Sequence, residues 1–456
     1  MPDLALFGGS FNPAGVHHRT IAERLAAIFD EVLVVPCGPR PDKPTTDEVE
    51  PLHRAATVDL TFCGLPRVRV ELFDLEADRF TRTYDLERRF SPRGRVWHVV
   101  GSDLVQGGRA GRSPIQQTWW RGEELWREGH FAVLARPGYP IDSSDLPPHC
   151  RVVEGAEGSS SAIRARAFQQ QPLSGLVAPS VERYIDRHRL YRGNRATRSA
   201  LVNLEPRRPL VIHDEANAVA IRLAAELGPS AESDPDVIVV IGGDGTMLRA
   251  VRQHWRLRVP FVGVNTGHRG FLLNNAGPAE LLAGELVLEQ LPLLWVEAEE
   301  AGGGRHEAVA FNDAWVERGT GQTAWIKVEV NGRERLRQLV ADGALVSTAA
   351  GSTGYARAMG AASLPLNTPA LLLVGSNVLR PEGWRPAVLP LDAVVRLTTL
   401  DPEKRPLSCY IDGVSQGTVR SMTARISKIA AVELAFDPRR DLGEKLAQIQ
   451  FPLVEE

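Results

Sequence analysis

Residues 237–246 read Val237-Ile238-Val239-Val240-Ile241-Gly242-Gly243-Asp244-Gly245-Thr246, and the same grammar opens the chain as Leu4-Ala5-Leu6-Phe7-Gly8-Gly9-Ser10-Phe11-Asn12-Pro13. In both places an unbroken apolar run, too short for a helix, stops at a glycine pair. Unbroken runs of this length mark strands buried on both faces. Apolar residues at helical spacing follow. Ile21, Leu25, Ile28 and Phe29 predict one face of a helix in the first instance, and a helix is expected from about Met247 in the second. A further strand then closes each unit: Val32-Leu33-Val34-Val35, ending at Pro36, and Phe261-Val262-Gly263-Val264. Strand, helix and strand in this order make a βαβ unit and a parallel sheet, so the fold class is α/β. The shared grammar is too common to count as an internal repeat.

Between the two instances, Arg192 to Pro209 is polar, basic and without apolar periodicity. It reads as a linker, assigned to residues 194–207, between a first domain at 1–193 and a second at 208–456. Val181-Glu182-Arg183-Tyr184-Ile185 predicts a short closing helix before it. Past residue 300 the pattern turns to short alternating stretches. Trp325-Ile326-Lys327-Val328-Glu329-Val330 followed by Asn331-Gly332 is a hairpin signal. The second domain is therefore expected to hold an α/β lobe at 208–300 and a β-rich lobe at 301–456.

A chain of 456 residues exceeds what one core usually supports, which agrees with two or three domains. A formal net charge of −3 with 24% charged residues gives no basic footprint for nucleic acid and no block suited to a membrane surface. No apolar run approaches the roughly 20 residues of a spanning helix. The start reads straight into a strand without a basic leader, so a cytoplasmic location is expected. Cys37, Cys63, Cys150 and Cys409 are scattered, with no CxxC pair or neighbouring His, and read as reduced thiols.

Both glycine turns suit phosphate chemistry. Glycines at a strand end let backbone N–H groups approach an anion, and the following helix adds its dipole. His17 and His18 stand at the start of the first helix, where an imidazolium would hold a triphosphate; exposed histidines beside a tight turn is the plainer reading. No GxxxxGK[ST] occurs, which excludes a Walker-type kinase. In the second turn Asp244 presents a carboxylate between glycines, able to accept a proton from an attacking hydroxyl. An ordinary Asp-Gly turn is the alternative.

Five segments in order resemble the nicotinate/nicotinamide mononucleotide adenylyltransferase family across residues 3–192. Gly8 to Pro13 resembles its GG[ST]F[DN]P turn. Val99-Val100-Gly101-Ser102-Asp103-Leu104 resembles GADSL, and Thr118-Trp119-Trp120-Arg121-Gly122-Glu123-Glu124-Leu125 resembles TWxRxEEL, leading to Arg136-Pro137-Gly138-Tyr139. Ser159-Ser160-Ser161-Ala162-Ile163-Arg164 resembles SSTxIR, and Val181 to Tyr191 is similar to the family's final helix. The resemblance implies a Rossmann-like nucleotidyltransferase domain in which a mononucleotide phosphate attacks the α-phosphorus of ATP and pyrophosphate leaves. It implies Gly8, Gly9, Ser10 and Phe11 as the nucleotide turn. His17, His18, Ser160, Ser161 and Arg164 are implied on phosphates, with His18 catalytic, and Asp103 and Trp119 on the mononucleotide. Trp119 would stack on the pyridine ring or serve as a core tryptophan. Lys43 resembles the family's early lysine in altered surroundings. The family's HxGH departs here to Gly15-Val16-His17-His18: the second histidine is kept as His18, the first is lost, and His17 replaces the motif glycine. Either His17 compensates, or this half is slow or an inactive relic.

Residues 208–452 resemble the NAD kinase family. GGDGT stands at 242–246, and Asn265-Thr266-Gly267-His268-Arg269-Gly270-Phe271-Leu272 resembles NxGxLGFL. Asn312-Asp313 resembles NE, Asp342 to Tyr355 resembles DGLIVSTPTGSTAY, and Asp412-Gly413 resembles a further DG. The resemblance implies Asp244 as general base toward the adenosine 2′-hydroxyl of NAD. Gly243, Gly245 and Thr246 would hold phosphates, with Mg²⁺ arriving on ATP and no protein metal ligand assigned. Asn265 would join the nucleotide site, Phe271 would pack on adenine, and Asn312 and Asp313 would bind ribose hydroxyls. Asp342, Thr353 and Tyr355 would line the dinucleotide pocket. Departures are Asp313 for Glu, Ala349 and Ala350 for Pro-Thr, and Gly354 for Ala. A hydroxyl lost at Ala350 is worth on the order of 0.5–1.5 kcal/mol if it was bonded.

The reading is a bifunctional enzyme using ATP, NAD and nicotinamide or nicotinate mononucleotide, with a homo-oligomer through the kinase half expected of that family. Its rival is an NAD kinase whose N-terminal domain senses nucleotide without catalysis.

Overall fold

The computed structural model describes residues 1–40, 48–136, 138–193, 199–204, 206–267, 270–440 and 442–451. Lys43 lies outside them. The chain divides into two compact units, Met1–Thr197 and Arg198–Glu456. Among the described residues no helix is long and apolar enough to cross a membrane.

The first unit runs β1 (Asp3–Gly9), α1 (Val16–Ala26), β2 (Glu31–Pro36), α2 (Pro51–Phe62), β3 (Val68–Val70), α3 (Phe73–Ala77) and α4 (Thr83–Phe90). It continues β4 (Arg95–Gly101), α5 (Pro114–Thr118), α6 (Gly122–Glu128), β5 (His130–Leu134), β6 (Cys150–Val153), α7 (Ser160–Phe168) and α8 (Pro179–Arg187). Six parallel strands lie in the order β3-β2-β1-β4-β5-β6. Strand order reverses between β1 and β4, which opens a crevice at their carboxyl ends. Alternate residues of β1 face opposite ways: Ala5 and Phe7 join the core under α1 and α2, while Leu4 and Leu6 pack toward Leu86 and Phe90 of α4. Each of the Leu and Phe side chains among these contributes roughly 1.5–3 kcal/mol over exposure. Ile21, Leu25 and Phe29 are buried as the helical spacing predicts, but α1 stops at Ala26 and Ile28 is exposed.

The second unit begins with β7 (Ser199–Asn203), β8 (Pro209–His213), α9 (Ala218–Glu226), β9 (Val237–Gly242), α10 (Asp244–His254), β10 (Phe261–Asn265), α11 (Pro278–Ala283) and β11 (Glu285–Glu300). Then come β12 (Arg305–Ala310), β13 (Asp313–Arg318), β14 (Ala324–Val330), β15 (Arg333–Ala341), β16 (Gly343–Ser347), α12 (Tyr355–Ala358), β17 (Ala370–Ser376) and β18 (Ala387–Pro390). β19 (Val395–Thr399), β20 (Leu407–Ile411), β21 (Val414–Phe436) and α13 (Leu442–Gln450) complete it. β8, β9 and β10 are parallel, and apart from the parallel contact of β10 with β21 the remaining pairings are antiparallel. Asn331 and Gly332, both at positive φ, close the β14–β15 hairpin as Asn-Gly implies.

Three boundaries differ from the sequence reading. Residues 199–203, inside the expected linker, form β7 and pair with β11, because the open edge of β11 offers ladder partners. The α10 helix begins at Asp244 rather than near Met247: Gly243 is extended and caps it, and a carboxylate is favoured in a first turn. The chain also does not pass once from an α/β lobe to a β-rich lobe at residue 300. Leu434 and Ala435 of β21 lie parallel to Phe261 and Val262 of β10, so the end of the chain returns to the first lobe.

The β20–β21 turn fixes a distant one. Asp412, at φ 46°, accepts the N–H groups of Phe311 (2.7 Å), Asn312 (2.9 Å) and Asp313 (3.2 Å). Its own N–H donates to the Asp313 carbonyl at 2.9 Å. Both carboxyls are buried. Burial first, and then the Asp412 charge, push Asp313 up to about 7. Burial also raises Asp412, but its three N–H bonds and Arg252 oppose the rise, so Asp313 is the partner that takes the proton. An unfolded Asp titrates near about 3.9. Stability from this proton is thus complete below that value and is lost as pH rises through 7. Asp313→Asn keeps the neutral form at every pH. Its denaturant midpoint for the second unit is expected above wild type at pH 8, with the gap closing near pH 5. Parallel pH dependence in the two proteins would disprove the coupling.

Candidate active sites

In the first unit the turn after β1, the start of α1 and the start of α7 converge. Arg164 donates to the Asn12 carbonyl at 2.6 Å and to Ser161 Oγ at 3.3 Å, and Ser160 Oγ donates to the Pro13 carbonyl at 2.8 Å. Ser159 caps α7 through the Ala162 N–H. Tyr191, just beyond α8, donates to Asn12 Oδ1 at 2.8 Å, tying the segment after that helix to the turn. The structure therefore brings Gly8, Gly9, Ser10, His17, His18, Ser160, Ser161 and Arg164 into one region. The Phe11 ring is the exception. It is buried against Phe7, Phe62 and His18, so only its backbone belongs to the turn.

The histidines are not the cations expected. His18 Nδ1 accepts the Gly15 N–H at 3.0 Å, which leaves the proton on Nε2. Burial, then His17 and Arg136, push His18 down to about 3, and burial also lowers His17. The two rings lie 3.9 Å apart. His17 fills the space beside Gly158, where a Cβ would stand 2.5 Å from the ring, so it wedges α1 against the approach to α7.

A cleft of about 700 Å³ opens at the carboxyl ends of β1 and β4, lined by Gly8, Gly9, Arg40, Arg82, Trp119 and Trp120 among others. Trp119 is half-buried on its wall, which serves both earlier readings of that side chain. Arg82 lies 5.2 Å over the exposed Trp120 ring. Asp103 follows β4, but its carboxylate is paired with Arg136 at 3.2 Å.

In the second unit Asp244 is held by the loop after β10. Its Oδ2 accepts the Phe271 N–H and its Oδ1 the Leu272 N–H, both at 2.9 Å. Burial raises its pKa, opposed by those two bonds and by Lys445 and Arg440. Asn265 holds the same region, accepting the Gly267 N–H at 3.0 Å and donating to Asn275 at 3.1 Å. Thr246 packs under Gly242, whose Cβ would meet its Oγ1 at 2.6 Å. Phe271, expected on an adenine, is buried with Met247, Phe311 and Ala350, because that apolar pocket lies directly beneath the loop.

The Asn312 carbonyl accepts from the Thr348 N–H (2.9 Å) and Ser347 Oγ (3.2 Å), and a Cβ on Gly351 would meet it at 2.4 Å. Asn312, Asp313 and the 348–353 turn carrying Thr353 thus adjoin. Asp342 does not join them. It precedes β16 and Thr348 follows it, a separation of roughly 20 Å at strand rise. Its carboxylate binds Arg318 (2.7 Å) and Asn377 (2.8 Å). Tyr355 is exposed and packs edge-on against Trp315 at 4.6 Å.

Several charged groups at these sites were not singled out by the sequence. Arg54 is fully buried and donates to the Ser10 and Cys37 carbonyls at 2.6 Å, fixing the first turn from α2. Arg136 stood in a quoted segment without a role. Arg440 and Lys445 carry no motif signal toward Asp244, since what they bind is backbone carbonyl from a loop some 170 positions away.

Residues 6–166 match the cytidylyltransferase-like family, and residues 192–281 match the ATP-NAD kinase N-terminal domain. The NAD kinase of Rickettsia bellii (strain OSU 85-389) is 36% identical over 220 residues, covering 48% of this chain and 86% of that protein. The NAD kinase of Cereibacter sphaeroides (strain ATCC 17029 / ATH 2.4.9) is 38% identical over 232 residues, covering 50% and 91%. A nucleotidyltransferase-like N-terminal domain is fused here to a C-terminal NAD-kinase domain, and through the latter the chain belongs to the NAD kinase family.

Proposed function

We propose that the chain catalyses two steps on the way to NADP: adenylylation of nicotinamide or nicotinate mononucleotide by its first unit, the nicotinate product needing amidation by another enzyme before it is NAD, and 2′-phosphorylation of NAD by its second. The observation that carries this reading is shared by the two strand ends. A Cβ on Gly8, Gly243 or Gly245 would meet nothing within 4 Å, and none of the three has a positive φ. No described residue requires glycine there, whereas a phosphate drawn close to the backbone does.

In the first unit the mononucleotide phosphate would attack the α-phosphorus of ATP, and the P–O bond to pyrophosphate would break. Gly8, Gly9 and Ser10 would carry the nucleotide, Ser160, Ser161 and Arg164 its phosphates, and Trp119 the pyridine ring. Asp103 would reach the mononucleotide by leaving Arg136. His18 would donate a neutral hydrogen bond from Nε2, and the positive charge would come from Arg164 and Arg136. In the second unit the adenosine 2′-hydroxyl would attack the γ-phosphorus of ATP, pass its proton to Asp244 and release ADP. Each Asp244 oxygen keeps a lone pair beyond its backbone bond, so the carboxylate remains able to accept. Mg²⁺ would come in on ATP and neutralise its phosphates. Among the described residues no group of three or more His, Cys, Asp or Glu converges as a metal cage. The lost first histidine and the Asp103–Arg136 pair favour a second reading, in which the first unit senses nucleotide without turning it over.

Asp244→Asn is expected to lower NADP formation by about 10²–10⁴ and leave adenylyl transfer intact; wild-type NADP formation would remove it from the mechanism. His18→Asn still accepts the Gly15 N–H but lacks the Nε2 donor. It is expected to cut the adenylyl-transfer kcat about 10²-fold or more with little change in KM. No loss, with no labelled pyrophosphate released by wild type, selects the sensor. Covalent linkage raises the local concentration of a product only when the next site accepts it. The protein with ATP, Mg²⁺ and nicotinamide mononucleotide should therefore form NADP without another enzyme. A preference for the nicotinate form beyond about 100-fold in kcat/KM, or ~2.7 kcal/mol, would overturn that expectation.

A further inference from the structure

The loop that holds Asp244 is itself held, from the other side, by the end of the chain. Its N–H groups at Phe271 and Leu272 point to the carboxylate. Three of its carbonyls, those of Gly270, Phe271 and Leu273, each receive a cationic donor. Lys445 of α13 bridges the Gly270 carbonyl (2.7 Å) and the Leu273 carbonyl (2.9 Å), while Arg440 donates to the carbonyl of Phe271. Peptide planes couple these two rows, because rotating a plane to loosen its C=O bond swings the neighbouring N–H away from Asp244. The Leu446 side chain seats α13 on the core that also buries Phe271 and Leu272.

We propose that Lys445 is a positioning residue for phosphoryl transfer: by gripping the Gly270 carbonyl it fixes the peptide plane whose Phe271 N–H reaches Asp244, while its bond to the Leu273 carbonyl closes the far end of the loop, and the carboxylate that receives the proton is held in place. This rests on the kinase reading above. The charge on Lys445 strengthens both bonds, and its setting makes that charge titratable. Burial, then Arg440, push Lys445 down to about 8, with Asp244 opposing; Arg440 is itself lowered to about 10 by burial, against Glu289 of β11 and Asp244. Lys445 therefore loses its charge as pH rises through about 8. An unfolded lysine keeps its proton to about 10.4. Between those values the unfolded chain binds the extra proton, so this group's contribution to stability rises with pH while the grip weakens. Falling activity with rising stability separates positioning from unfolding.

The test uses the full chain with Lys445→Met and Lys445→Arg. The Met variant is expected to lose about 10- to 100-fold in kcat for NADP formation, the scale of a carboxylate displaced by about an ångström. Its KM for NAD and ATP should stay within about threefold. The Arg variant should recover most of the rate, and the alkaline fall in kcat, centred near pH 8 in wild type, should move upward. If the Met variant does not fold, that shift decides alone. A Met variant within twofold of wild type, or an alkaline limb unmoved in the Arg variant, overturns the proposal. Should wild type make no NADP, the kinase reading fails first. Amide exchange at Phe271 then judges the grip: faster exchange in the Met variant, with Val239 and Val240 unchanged, supports it, and unchanged exchange at Phe271 refutes it.

Discussion

Where a parallel strand hands over to a helix, the helix's first N–H groups have no partner within it, and the backbone must turn within a few residues. Both units are organised around that deficit. In the first, the Gly15 N–H is taken by His18, and the turn ahead of it is braced by Arg54 from α2 and Arg164 from α7. In the second, Gly243 passes the chain into α10 with Asp244 as its first residue, and the carboxylate is spent on the next strand's loop. The local chemistry differs: a neutral imidazole takes an N–H at the first helix start, whereas the buried acid at the second takes N–H groups from another loop. Each leaves open glycine backbone on the side away from the core.

What the sequence made legible follows from how local the signal is. The β1–α1–β2 and β9–α10–β10 units were readable because unbroken Val/Ile/Leu runs, glycine pairs and helical spacing all lie within about 30 residues. The Asn331-Gly332 hairpin was readable for the same reason. Side-chain direction was not. Phe11 and Phe271 sit in motifs expected to touch nucleotides, yet their rings face inward because an apolar pocket lies under each turn. Asp342 belongs to one sequence motif with Thr353 and Tyr355, but a five-residue strand separates it from the Asn312 carbonyl. Contiguity in sequence is not contiguity in space once a strand intervenes.

The least legible groups are those whose partners are backbone atoms. Arg54, Arg440 and Lys445 bind carbonyls, and a carbonyl has no residue type to reveal it in a sequence. Asp412 shows the complementary case: three N–H groups about 100 residues away converge on one carboxylate. Such contacts cost little in sequence specificity at one end and are exacting at the other. They explain why the acidic residue of a short Asp-Gly turn orders the segment bearing Asn312 and Asp313.

The pairing of β11 with β21 has a mechanical meaning. The two strands are matched from Val287–Phe436 to Glu300–Val419, past two register shifts, so one ribbon runs through both parts of the second unit. A cut across that ribbon would sever ladder hydrogen bonds in the middle of two continuous strands, with no flexible connection there to absorb a rotation. The α/β and β-rich parts of this unit are consequently girders of one frame rather than jaws. Any motion that admits a ligand to this unit is then expected in the loops and side chains mounted on that frame.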